Sequence, residues 1–102
     1  MPARNPLPAD AVDAALARLD GWAREGDEIV REFEFADFRA AFAFLLRVAF
    51  EAETMDHHPH ITNVYNRVRL ALSTHDAGNR VTETDTELAA RIDRAAAGPA
   101  AR

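Results

Sequence analysis

The sequence predicts an α+β domain in which a four-stranded antiparallel sheet carries three helices packed on one face, in the order α-β-β-α-β-β-α. Apolar residues recur at helical spacing in three separate stretches, near residues 8–19, 38–55 and 82–96. Each gap between them holds a β-branched, alternating stretch with a polar turn at its middle. The chain of 102 residues, 48% apolar and 28% charged, is read over 1–102 as one domain, with no internal repeat, linker or low-complexity segment.

The first helix is expected over Pro8 to Leu19, with Val12, Ala15, Leu16 and Leu19 on one face, Pro8 in the first turn and Gly21 past the end. A hairpin follows: Trp22 to Arg24, a Glu25-Gly26-Asp27 turn, then Ile29, Arg31, Phe33 and Phe35 alternating with Val30, Glu32 and Glu34. Asp37 offers an N-cap oxygen to a long helix from Phe38 to Met55, which no Gly or Pro interrupts. Phe38, Ala41, Phe42, Leu45, Val48, Ala49 and Ala52 are assigned to its core face. Phe44, Leu46 and Phe50 are apolar surface in excess of one stripe. Ile61 to Thr74 reads either as a second hairpin bent at Asn66-Arg67, with Val64, Val68, Leu70 and Leu72 in phase, or as one long strand. Residues 75–81 read as a loop. Thr82 and Asp85 form a capping box for a last helix with Leu88, Ala89, Ile92 and Ala96 inward, and the tail frays from Gly98.

Composition excludes several functions. With no cysteine there is no disulfide, thiolate metal site or cysteine nucleophile, and with twelve arginines and no lysine there is no Schiff-base chemistry. A net charge of −5 with cations interleaved among seventeen acids argues against a nucleic-acid surface. No apolar run has the length of a membrane helix or the pattern of a signal peptide, so the expected compartment is the cytoplasm. A domain this small buries about two thirds of its unfolded surface, and the excess apolar face of the long helix points to self-association.

The chemistry gathers where all four histidines lie, at His57, His58, His60 and His75, with Glu53 and Asp56 close by. Pro59 keeps residue 58 out of α conformation, so the imidazoles leave the helix end in an extended path and can line one pocket. Histidines with carboxylates can also make a metal site, but adjacent His57 and His58 do not suit one ion and no zincin spacing is present, so no metal is assigned. Solvated imidazoles at a helix C-terminus are a further alternative. Asp85 suits either helix capping or site support, and Tyr65 either a strand aromatic or a ligand contact. Trp22 is assigned to the core, and His60 is a bystander.

The ordered set Glu53-x-x-x-His57-His58-Pro59, then Tyr65, His75 and Asp85, resembles the signature of the pterin-4a-carbinolamine dehydratases. Gly21-Trp22, Phe33-Glu34-Phe35-Ala36-Asp37-Phe38, Asn63-Val64-Tyr65-Asn66 and Ser73-Thr74-His75 also resemble family segments, so the likeness covers nearly the whole chain. It implies an enzyme that dehydrates 4a-hydroxytetrahydrobiopterin to quinonoid dihydropterin, in tetrahydrobiopterin recycling, without cofactor or metal. It implies catalytic roles for His57, His58 and His75, the first and last as general acids and His58 as pterin ligand and candidate base. Glu53, Asp56, Pro59 and Asp85 fall on the substrate-binding side, and the assembly implied is a homotetramer built as a dimer of dimers. Two departures stand out: the interval from His75 to Asp85 is one residue longer than the family pattern, and Thr84 replaces a residue that is basic in many relatives. They leave room for another pterin, as in molybdopterin-related metabolism. Animal members also serve as dimerisation cofactors of a transcription factor, which makes a non-catalytic binding module the alternative function.

Overall fold

The computed structural model describes residues 4–97, and the expected fraying from Gly98 lies outside them. Helix α1 spans Ala9–Leu16, strands β1 and β2 Ala23–Glu25 and Glu28–Glu34, helix α2 Phe38–Met55, strands β3 and β4 His60–Val64 and Arg67–Leu72, and helix α3 Glu83–Ala97. The strands form one antiparallel sheet in the order β1-β2-β4-β3, and the fold class and element order are those the sequence predicts. Ile29, Phe33, Val68, Leu70 and Leu72 of the sheet meet Val12, Phe44, Val48, Leu88 and Ile92 of the helices in a single core. No helix among the described residues is long and apolar enough to cross a membrane.

Helix α1 stops three residues short of Leu19. Bonds of the i→i+3 kind, Arg18 N–H to Ala15 and Leu19 N–H to Leu16, tighten the chain into a turn that still delivers Leu19 to the core. The turn ends at Gly21, whose φ of +89° favours glycine and where a Cβ would lie 2.7 Å from Arg31 Nε. That arginine cannot move away freely. Its guanidinium lies over the Phe33 ring and is bonded to Asp93 Oδ1, the oxygen that also accepts from Trp22 Nε1, so Gly21-Trp22 fits one tight knot beside the core.

The second hairpin exists, but its bend is Tyr65-Asn66 rather than Asn66-Arg67. Asn63 Nδ2 donates to the Tyr65 and Arg67 carbonyls, and Asn66 exchanges bonds with the Phe35 backbone, which fixes the turn one residue earlier. Tyr65 consequently takes φ +52° and is exposed. Val64, opposite Arg67, leaves the phase of Val68, Leu70 and Leu72 and is 69% exposed.

Asp37 accepts from Ala40 N–H at 2.8 Å and starts α2 as expected. Its core face keeps Ala41, Val48, Ala52 and the partly buried Leu45 of the one predicted, gains Phe44 and Met55, and loses Phe38, Phe42 and Ala49. Ala41, Phe44, Val48, Ala52 and Met55 are buried, whereas Phe38, Phe42, Ala49, Leu46 and Phe50 are exposed. The reason lies at the end of β2: Phe33 and Phe35 pack against Phe44 with tilted rings at 4.8 and 5.0 Å between ring centres, and this aromatic cluster sets the rotation of the helix. The excess apolar surface is thus the stripe Phe38-Phe42-Leu46-Phe50, one residue every four along α2. On another face Arg91 of α3 bonds Glu87 and Glu51 of α2, and these hydrogen bonds raise its guanidinium further above its ordinary value.

Candidate active site

The C-terminus of α2 creates the site. Asp56 N–H bonds to the Glu53 carbonyl and His57 N–H to the Ala52 carbonyl, the pairing of a Schellman motif with Asp56 as its left-handed residue at φ 50°. A non-glycine residue in that region stores about 1 kcal/mol or more of strain. The reversal turns the next two side chains apart: His57 points inward and is 6% exposed, while His58 stays exposed with Nε2 2.8 Å from Glu53 Oε1. Pro59 then leads the extended chain into β3, and it does not line the cleft described below.

Behind His57 lies Asp85, fully buried at the start of α3. Its Oδ2 accepts from Thr82 N–H at 2.8 Å and from the Thr74 hydroxyl at 2.7 Å, and Oδ1 lies 2.6 Å from His57 Nε2. The Thr82 hydroxyl accepts from Thr84 N–H and is 2.7 Å from the Thr74 hydroxyl. Asp85 is therefore at once the returning half of the capping box and the partner of an imidazole, one oxygen for each task. No buried side-chain polar atom among the described residues lacks a hydrogen-bond partner, so the network is closed.

After β4 a short 3₁₀ turn at His75–Ala77 interrupts the expected loop and presents His75 at the surface, its Nδ1 3.4 Å from Asn79 Oδ1. His57, His58 and His75 line one open cleft of about 530 Å³ together with Arg4, Asp56, Ser73 and Asp76. Of the seven residues expected at a site, the fold brings these three histidines and Asp56 to the cleft wall. Glu53 touches it only through His58, Asp85 only through His57, and Pro59 not at all. His60, on β3 and paired with Ala71 of β4, lies outside, and Tyr65 lies by Phe38 and Phe42 on another surface. Arg4, Ser73 and Asp76 were missed by the sequence reading, as was the buried role of Thr74. Thr84, where a cation was expected to be lost, is buried and forms no part of the cleft wall. Among the described residues no three His, Cys, Asp or Glu side chains are grouped to hold a metal ion.

A sequence model of the family described as Pterin 4 alpha carbinolamine dehydratase matches residues 5–95. A protein of Chloroflexus aurantiacus provisionally named pterin-4-alpha-carbinolamine dehydratase is 58% identical over 78 residues, 76% of this chain and 83% of its own. One of Opitutus terrae with the same provisional name is 47% identical over 83 residues, 81% and 86% of the two chains. In three dimensions the chain is similar to the crystal structure of a transcriptional coactivator/pterin dehydratase from Brucella melitensis, with a TM-score of 0.86 and 41% identity over 90% of this chain and 99% of that one. It is also similar to a pterin dehydratase-like protein identified as a RuBisCO assembly factor in the alpha-carboxysome, with a TM-score of 0.65 and 26% identity over 78% of this chain and 93% of that one.

Proposed function

The chain belongs to the pterin-4a-carbinolamine dehydratase family, and on that premise we propose that it dehydrates 4a-hydroxytetrahydrobiopterin to quinonoid dihydropterin and water. The observation that carries this is the gathering of His57, His58 and His75 around one open cleft. The reaction breaks the C4a–O bond and removes the proton on N5, so that a C4a–N5 double bond forms. Hydroxide is a poor leaving group, so an acid must give it a proton while a base takes the one from N5. The two transfers balance, and no oxidant or reductant is consumed. Imidazole serves either task near neutral pH.

Asp85 holds Nε2 of His57, which leaves Nδ1 as the nitrogen for a ligand. The carboxylate fixes the orientation of the ring, so His57 is the better placed of the two candidate acids, with His75 as the second. His58, exposed and paired with Glu53, is the pterin ligand and candidate base. Asp56, at the cleft wall, completes the binding surface. In this role the enzyme supplies the quinonoid dihydropterin whose reduction completes tetrahydrobiopterin recycling.

The assembly belongs to the same proposal. The stripe Phe38-Phe42-Leu46-Phe50 is too apolar to face water alone; α2 pairing across it makes a dimer, and two such pairs packed together make the dimer of dimers that the family reading implies. The same stripe favours a second function, docking to another protein without catalysis, and the coactivator and assembly-factor descriptions of two structural neighbours support it. The test is ultraviolet absorbance of freshly generated 4a-carbinolamine with the purified protein. Dehydration faster than the uncatalysed reaction, and indifferent to a chelator, supports the enzyme; a rate equal to the uncatalysed one supports the docking module.

A further inference from the structure

Among the described residues one guanidinium lines the histidine cleft, and it comes from the far end of the sequence. Arg4 Nη2 donates to the Met55 carbonyl at 3.3 Å and to the Asp56 carbonyl at 3.1 Å, across 51 and 52 residues of chain. They are the last carbonyl of α2 and that of the left-handed residue after it, at a helix end where unpaired oxygens concentrate negative partial charge and a cation is favoured. Arg4 thus straps the N-terminal segment over the very turn that projects His57 and His58. Both bonds use one nitrogen. Among the described residues Nε and Nη1 have no hydrogen-bond partner, while the side chain forms part of the cleft wall with His57, His58 and His75. A planar guanidinium fixed along one edge and open along the other is pre-organised to donate to an oxygen acceptor. Arg4 also lies just outside residues 5–95, the part of the chain matched by the family.

We propose that Arg4 is a substrate-binding residue that donates from its open edge to an oxygen of the bound pterin, so that the N-terminal segment completes the cleft. This rests on the pterin reading of the same site. The acceptor is either the ring carbonyl, which every pterin carries, or an acidic group on the ring's side chain. A fixed cation also gives the cleft a counter-charge that Thr84, buried elsewhere, does not provide.

Fluorescence titration of the full chain with two probes, pterin and pterin-6-carboxylate, tests it in the parent, Arg4→Gln and Arg18→Gln. Arg18→Gln removes the same charge from an exposed position in a different groove, beside Ala15 and Glu87. Loss of one charge-assisted bond is expected to weaken binding by roughly tenfold to a hundredfold in Arg4→Gln and not in Arg18→Gln. Equal loss for both probes assigns the ring carbonyl, and loss confined to pterin-6-carboxylate assigns the acidic group. Parent-like binding of both probes by Arg4→Gln overturns the proposal. So does weaker binding accompanied by displaced imidazole NMR signals of the ligand-free variant, which makes Arg4 a structural strap only. A parent that binds neither probe overturns the pterin reading together with the contact, whereas a parent that binds both while Arg4→Gln is unchanged overturns the contact alone.

Discussion

Asp85→Asn separates the two tasks of the buried carboxylate. The substitution keeps size and shape but replaces one acceptor oxygen with an NH₂ donor. In the parent, Oδ2 accepts from Thr82 N–H and the Thr74 hydroxyl, and Oδ1 faces His57 Nε2. If the amide oxygen keeps the threonine side, its NH₂ faces Nε2 and requires that nitrogen to accept, which moves the imidazole proton to Nδ1. If it turns the other way, two donors on the threonine side lose their acceptor. Losing a charge-assisted bond costs about 1.5 to 3 kcal/mol, and weakening the cap adds about 0.5 to 2 kcal/mol. The expected destabilisation is therefore about 2 to 5 kcal/mol, a large share of the roughly 5 to 15 kcal/mol that holds a domain folded. For a domain of this size that lowers Tm by at least about 8 °C. Scanning calorimetry reads the stability, and nitrogen-15 imidazole spectra read the His57 tautomer. A melting temperature within about 2 °C of the parent, with unchanged His57 signals, would refute the geometry assigned to the pair.

Three further outcomes follow from other parts of the fold. Leu46→Glu puts a charge into the proposed α2 interface at a cost of several kcal/mol per copy, so light scattering should show a tetrameric parent and smaller, still folded variant species. A parent that is an 11.3 kDa monomer at micromolar concentration contradicts the assembly. Gly21→Ala should destabilise by about 2 kcal/mol or more in urea unfolding, through its positive φ and the contact with Arg31, and an unchanged midpoint would mean that the knot around Trp22 is loose. The pH dependence of kcat/KM should be bell-shaped, because the reaction needs one imidazole protonated and one group ready to take a proton; activity that is flat from pH 5 to 9 argues against the acid–base pair.

Much of this was legible because local chemistry and tertiary fold agree. Asp37, the Gly26 turn and the Thr82–Asp85 box each act through neighbours in sequence, and each was placed from sequence. The rotation of α2 was not, because helical spacing in a segment apolar on nearly every side leaves several faces equivalent, and only the rings of Phe33 and Phe35 select Phe44. The bend at Tyr65-Asn66 was misplaced by one residue because side-chain amides of Asn63 and Asn66 decide it, one of them bonding a different strand end. At the site, the cluster of histidines was visible as composition and order. Which of them reach one cleft depends on the left-handed turn at Asp56, and Asp85 gave away its capping role but not its buried partner. Arg4 carried no signal: nothing in its neighbourhood ties it to residues 51 positions on.

The central claim is that imidazoles of this cleft transfer the protons of the dehydration. Its most direct measurement is the dehydration rate of freshly generated 4a-hydroxytetrahydrobiopterin with parent, His57→Ala, His75→Ala and the double variant, each shown to be folded by circular dichroism. Each single change should lower turnover by roughly tenfold to a thousandfold, and the double variant should approach the uncatalysed rate. A double variant that is folded and dehydrates the substrate at the parent rate would contradict the account.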